Sequence, residues 1–145
     1  MLLVHATCID VVGAGVLLRG PSGRGKSDLA LRLIDSGAVL VADDQVTLHR
    51  DGAGLNATAP PVLAGLLEVR GLGLVRLPVA LSCPVRLAID LEPVAEIERL
   101  PSDRSCTYLG IDLPLFRLAP FEASAVAKVR LAVRLATGDI ISANE

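Results

Sequence analysis

The stretch GVLLRGPSGRGKSDLALRLIDSGAVLVADD, Gly15 to Asp44, decides the fold. Val16, Leu17 and Leu18 make an apolar run that stops at a glycine loop, which is the pattern of a buried strand. Leu29, Leu33 and Ile34 then recur at helical spacing, and Gly37 stands where a C-terminal cap belongs. AVLVADD follows, a β-branched apolar run that ends abruptly in two carboxylates. Strand, glycine loop, helix and strand make a βαβ unit, so the two strands are expected to be parallel neighbours.

The loop itself, Gly20-Pro21-Ser22-Gly23-Arg24-Gly25-Lys26-Ser27, fits the pattern G-x-x-x-x-G-K-[ST]. Glycines adopt the backbone angles that turn successive N–H groups inward, and without Cβ atoms they let phosphate oxygens approach. The helix that follows adds its positive N-terminal end. In this arrangement Lys26 bridges the terminal phosphates and the Ser27 hydroxyl ligates Mg²⁺. The chain carries 14 basic residues, and only Lys26 and Lys128 among them are lysines. Placing one of two lysines here argues for use rather than decoration.

Parallel strands flanking one helix present their C-terminal ends on the same edge, so Asp43 and Asp44 are expected beside the phosphates. Adjacent residues at a strand end point in different directions, so one carboxylate would serve metal or water and the other the acceptor. His5 by itself reads as a surface or core histidine. Glu68-Val69-Arg70, just before the turn Gly71-Leu72-Gly73, is open to two readings: a second phosphate or metal contact, or a charged turn.

The 145 residues are 52% hydrophobic and 2% aromatic, with formal charge −2. That length suits one domain, over residues 1–145, with a core of Leu, Val, Ile and Ala. So few aromatics and so little positive charge provide neither a stacking platform nor a basic groove, which argues against nucleic-acid binding. Cys8, Cys83 and Cys106 are odd in number and form no CxxC pair, so buried free thiols in a reducing compartment are expected. MLLVHATCID lacks a basic n-region, and no apolar run is long enough to span a bilayer; a cytoplasmic protein away from membranes is expected.

Beyond Asp44 the pattern turns to short strands. QVTLHRDG alternates, with Val46 and Leu48 on one face, His49 towards solvent and a turn at Asp51-Gly52. CPVRLAIDLEP alternates as a half-buried strand, LPSDRSCTYLGIDLP reads as loop, and Ile111–Leu118 as an edge strand. FEASAVAKVRLAVRLATG reads as an amphipathic helix ending at Gly138. Leu72, Leu74 and the apolar face of KVRLAVRLA are read as core or subunit packing.

With these stretches assembled, the chain resembles the catalytic domain of HPr kinase/phosphorylase. VHATCIDVVGAGVLLRGPSGRGKSDLAL is similar to that family's His-led strand and phosphate loop, LVADDQV to its acidic strand end, and APPVLAGLLEVRGLGLV to its own signature. The resemblance covers roughly residues 4–75. It implies a P-loop-containing, phosphoenolpyruvate-carboxykinase-like α/β fold, a mixed sheet with flanking helices. It further implies an ATP- and Mg²⁺-dependent kinase acting on a serine of the phosphocarrier protein HPr or its nitrogen-system paralogue, assembled as a homohexamer. Carried over by position, His5, Lys26, Asp44 and Arg99 fall on catalytic positions, and Ser27 and Glu68 on Mg²⁺-binding ones. Arg99 lies in the weaker match IERLP.

The chain departs from that pattern in several places. It begins close to His5, so the N-terminal domain that many members carry is expected to be missing. Asp28 stands where Glu is common, and the stretch between Gly73 and Pro93 looks shortened. LAPFEASAVAKVR replaces a Pro-Gly-Arg-Asn-like turn associated with dephosphorylation, which leaves the reverse, phosphorylase activity open. Two other readings fit the same loop: a small-molecule kinase, and an ATP-sensing module without chemistry.

Overall fold

The computed structural model describes residues 1–144 and is a mixed α/β fold, with one nine-stranded sheet, one two-stranded sheet and two α-helices among those residues. In chain order the strands are β1 (Leu2–Val4), β2 (Thr7–Val11), β3 (Ala14–Arg19), β4 (Val39–Ala42), β5 (Val46–Asp51) and β6 (Gly54–Thr58). They continue with β7 (Leu66–Val69), β8 (Gly73–Arg76), β9 (Cys83–Leu91), β10 (Ser105–Tyr108) and β11 (Ile111–Leu118). The helices are α1 (Lys26–Asp35) and α2 (Ala125–Ala136).

The main sheet runs β1-β5-β6-β9-β3-β2-β4, and β11 joins the C-terminal half of β9 with β10 beside it. The expectation that β3 and β4 are neighbours is corrected. β2 lies between them, antiparallel to both, so α1 crosses over one intervening strand. The reason lies upstream of the motif. Val12 and Gly13 both take positive φ (53° and 83°), the signature of a tight hairpin turn that folds β2 back along β3. β3 and β4 remain parallel to each other, so their C-terminal ends still share an edge. Because β2 is antiparallel, its first residue, Thr7, begins on that same edge.

Alternation divides the core into two layers. Val16 and Leu18 of β3, Ile9 and Val11 of β2, and Leu87, Ile89 and Leu91 of β9 pack against Leu29 and Leu33 of α1 and Val129 of α2. Cys8, Leu17 and Ala88 face the other way and are covered by Val46, Leu48, Leu55 and Leu113 from the sheet itself. Both helices therefore cover one face, and strands close the other. Gly15 marks the tightest approach in the sheet: a Cβ there would lie 2.8 Å from the Pro84 carbonyl oxygen.

Several sequence expectations change. Ser105–Tyr108, read as loop, is strand β10, paired with β11 through a turn at Leu109-Gly110 where both φ angles are positive. Its short polar sequence hides it, and only the partner strand defines it. β11 is not an edge along its whole length, because Leu115–Leu118 pair with β9. The apolar face of α2 is core, whereas Leu72 and Leu74 on the β7–β8 hairpin are 77% and 70% exposed and belong to no core of this chain. Cys8 and Cys83 are buried free thiols; burial raises the pKa of both, that of Cys83 to about 12, which leaves them unreactive. No described helix is long and apolar enough to cross a membrane.

Leu18 is fully buried between β3 and the helices. Truncation to Ala is expected to lower unfolding stability by about 2–5 kcal/mol, measured by urea denaturation.

Candidate active site

The glycine loop lies between β3 and α1, as the sequence requires. Its entrance is braced. Arg19 sits opposite Asp90 in the parallel register of β3 and β9 and donates to it twice, from Nε to Oδ1 at 2.7 Å and from Nη2 to Oδ2 at 3.0 Å. Arg19 Nη1 donates to the Tyr108 hydroxyl at 3.0 Å, and the Asp90 carboxylate pushes the guanidinium pKa further up. The residue before Gly20 is thus held by a fork that only a planar guanidinium can make.

Within the loop, Gly20, Gly23 and Gly25 all take positive φ, at 154°, 81° and 100°. Gly25 caps α1, and no side chain makes a capping hydrogen bond at the helix N-terminus. Lys26 is 8% exposed and donates to the carbonyl of Gly20 across the loop. Its burial lowers the ammonium pKa from 10.5, and the attraction of Asp44 and Asp43 opposes that shift. Arg24 turns away from the loop and reaches the carbonyl of Leu91 at 3.4 Å.

The two carboxylates at the end of β4 do different things. The amide of Gln45 donates to the carbonyl of Asp43 at 2.8 Å, and Asp44 between them has φ 69°. This is a three-residue turn, a strained geometry that throws the two side chains apart. Asp43, 9% exposed, points inward. Its Oδ1 accepts from Thr7 Oγ1 at 2.8 Å, and the Ser27 hydroxyl donates to both its oxygens at 3.0 and 3.1 Å. Asp44 points outward, and its Oδ1 lies 3.4 Å from His5 Nδ1.

These groups open into one cavity of about 480 Å³. Ser22, Gly23, Gly25, Lys26 and Ser27 line it from the loop, Asp28 and Leu31 from α1, Asp44 from β4, and Phe121 from the segment before α2. Glu68, Val69 and Arg70 line it from the β7–β8 hairpin. Leu67 is buried under α1, so by strand alternation Glu68 faces the other way, into the cavity. Of the residues singled out in the sequence, Lys26, Ser27, Asp44 and Glu68 meet here, with His5 beside Asp44. Gly20, Pro21 and Arg24 shape the loop without lining the cavity.

Arg99 is not brought to this cavity. It is exposed on the segment between β9 and β10 and lines a separate, larger hollow with Lys128 and Leu131. The cation that does line this cavity from the sequence signature is Arg70. Thr7 and the inward role of Asp43 went unrecognised in the sequence. A threonine leading a strand carries no local signal, and its role appears only when β2 is inserted next to β4.

The donor set is one of hard oxygens: the Ser27 hydroxyl with the carboxylates of Asp43, Asp44 and Glu68. That set fits Mg²⁺, which binds through one or two carboxylates plus water and substrate phosphate oxygens. Among the described residues no three His, Cys, Asp or Glu side chains are grouped so as to hold a metal ion by themselves.

The family model for the HPr serine kinase C-terminal domain matches residues 1–134, well past the stretch that carries the sequence resemblance. The HPr kinase/phosphorylase of Pelodictyon phaeoclathratiforme is 37% identical over 140 residues, which cover 86% of this chain and 42% of that protein. That of Nitrosomonas europaea is 53% identical over 74 residues, half of this chain and 23% of that protein. The solved structure of the Hpr(Ser) kinase/phosphatase from Coxiella burnetii superposes with TM-score 0.85 at 27% identity, covering 96% of this chain and 98% of that one. The chain spans about two fifths of the length of curated relatives such as the Pelodictyon protein.

Thr7→Val removes one of the donors to a buried carboxylate. It is expected to cost about 1–3 kcal/mol in unfolding free energy, with Thr7→Ser close to the parent in the same denaturation measurement.

Proposed function

The chain belongs to the HPr serine kinase C-terminal domain family, and from that premise we propose that it transfers the γ-phosphoryl group of ATP to a serine hydroxyl of a phosphocarrier protein, HPr or its nitrogen-system paralogue. The observation that carries this reading is the shared cavity: the phosphate loop, an outward carboxylate and a second acidic position line one space large enough for a triphosphate.

The triphosphate lies along Gly20 to Ser27, with loop amides and the α1 N-terminus as its donors. Phosphate oxygens take the Lys26 ammonium from the Gly20 carbonyl that it now meets. Ser27 and Glu68 would hold Mg²⁺, with Asp43 behind Ser27, and the ion would neutralise charge on the phosphates. Asp44 accepts the proton of the incoming serine hydroxyl, His5 Nδ1 at 3.4 Å keeps its carboxylate oriented, and the bond to the ADP oxygen breaks as the new one forms. Lys26 and Arg70 stabilise charge on the transferring group. The strain at Asp44 fits such a role, because the turn holds the base out over the cavity.

Arg99 reaches this chemistry only if the segment between β9 and β10 moves or a neighbouring copy of the chain supplies it. A homohexamer, the assembly proposed here, would provide such copies. Light scattering is then expected to give a mass about six times 15.1 kDa. The protein is proposed to work in the cytoplasm, where its acceptor and ATP meet.

Incubation with γ-labelled ATP, Mg²⁺ and the phosphocarrier, followed by mapping of the label, is expected to place it on serine. Asp44→Asn is expected to lower that rate by about 10²–10⁴ while retaining nucleotide binding. Full activity in that variant would refute the base assignment, and tight ATP binding without any labelled acceptor would leave a nucleotide sensor.

A further inference from the structure

Phe121 is one of two phenylalanines in the chain, and it is 69% exposed at the rim of the phosphate cavity. An isolated exposed aliphatic residue is ordinary, but an exposed aromatic ring on a polar cavity asks for a partner. The ring is held in place. Its Cζ lies so close to Gly25 that a Cβ there would come within 2.8 Å of it. The glycine that caps α1 therefore has a second use, since it lets the ring lie against the loop. The backbone before the ring is fixed by Arg32 Nη2, which donates to the carbonyl of Pro120 and is itself braced by Asp28 through Nε at 3.0 Å. The residue after it, Glu122, is paired to Lys128 at 3.0 Å. Leu31 of α1 lines the same cavity and adds a second apolar group. The mechanism above uses neither Phe121 nor Leu31.

We infer that Phe121 is the stacking platform for the base of the bound nucleotide, with Leu31 as part of the same apolar wall. This rests on the reading of the cavity as a nucleoside triphosphate site. A triphosphate seated against Gly23 to Ser27 carries its ribose and base out of the loop, and Phe121 is the aromatic surface that lines this cavity. Recognition by a ring face is tolerant, because every base has a π-face. The site therefore takes nucleoside triphosphates whatever their base and separates ATP from GTP poorly. It separates both strongly from a triphosphate that has no base.

The test compares ATP with inorganic tripolyphosphate, each with Mg²⁺, by calorimetry on the parent, Phe121→Ala and Phe121→Trp. Stacking on an aromatic side chain corresponds to a factor of about 5–150 in affinity. Phe121→Ala is expected to weaken ATP by that factor and leave tripolyphosphate unchanged. Phe121→Trp is expected to restore ATP binding. Because the parent chain has no tryptophan, emission from that variant reports on this position alone; ATP should quench it and tripolyphosphate should not. Equal weakening of both ligands by Phe121→Ala overturns the inference in favour of a ring that only props the loop at Gly25. Unchanged ATP binding with a loss of acceptor phosphorylation overturns it in favour of a contact to the acceptor protein. If the parent binds neither ligand, the triphosphate reading of the cavity fails first and the inference fails with it.

Discussion

The carboxylate of Asp43 is the junction on which the site depends. It sits at the end of β4, accepts the Thr7 hydroxyl from the start of β2 and accepts the Ser27 hydroxyl from the first turn of α1. The start of α1 is thereby tied to the ends of two neighbouring strands of the sheet. A buried carboxylate without such donors would be costly, so the pairing is demanding and any shift of one element is felt by the other two. The arrangement also accounts for the outward position of Asp44. With Asp43 committed inward, the tight turn leaves the second carboxylate outside, over the cavity and beside His5.

A second constraint operates one strand away. The Arg19–Asp90 fork locks the last residue of β3 to β9, and Tyr108 ties β10 to the same guanidinium. The glycine loop is built from residues with little conformational preference of their own, and so its position has to be imposed from its ends. Arg19 fixes one end; the packing of Leu29 and Leu33 of α1 into the sheet fixes the other. The loop thus has rigid ends and a permissive middle. Lys26, nearly buried, donates to the Gly20 carbonyl across the loop, so its ammonium has a partner.

The β7–β8 hairpin shows how a part with no place in the main sheet is still positioned accurately. Leu67 anchors it in the core under α1, and alternation then turns Glu68 towards the cavity. Its tip, with Leu72 and Leu74 in solvent, has no such anchor. One buried leucine thus divides the sequence signature into a fixed half that serves the cavity and a free half that does not.

The sequence by itself determined whatever depends on neighbouring residues: the strand–loop–helix–strand order, the glycine positions, Lys26 and Ser27 at the helix start, the acidic end of β4, and the helix from Ala125. Each of these is written in local periodicity or in the backbone freedom of glycine. Only the tertiary structure decided which strand lies beside which, because pairing joins residues distant in the chain through hydrogen bonds that any sequence can make. It put β2 between β3 and β4, made Ser105–Tyr108 a strand, and chose Asp43 over Asp44 for the inward position. It also left Arg99 on another face and set Phe121 against Gly25, contacts made across long stretches of chain that no local pattern encodes.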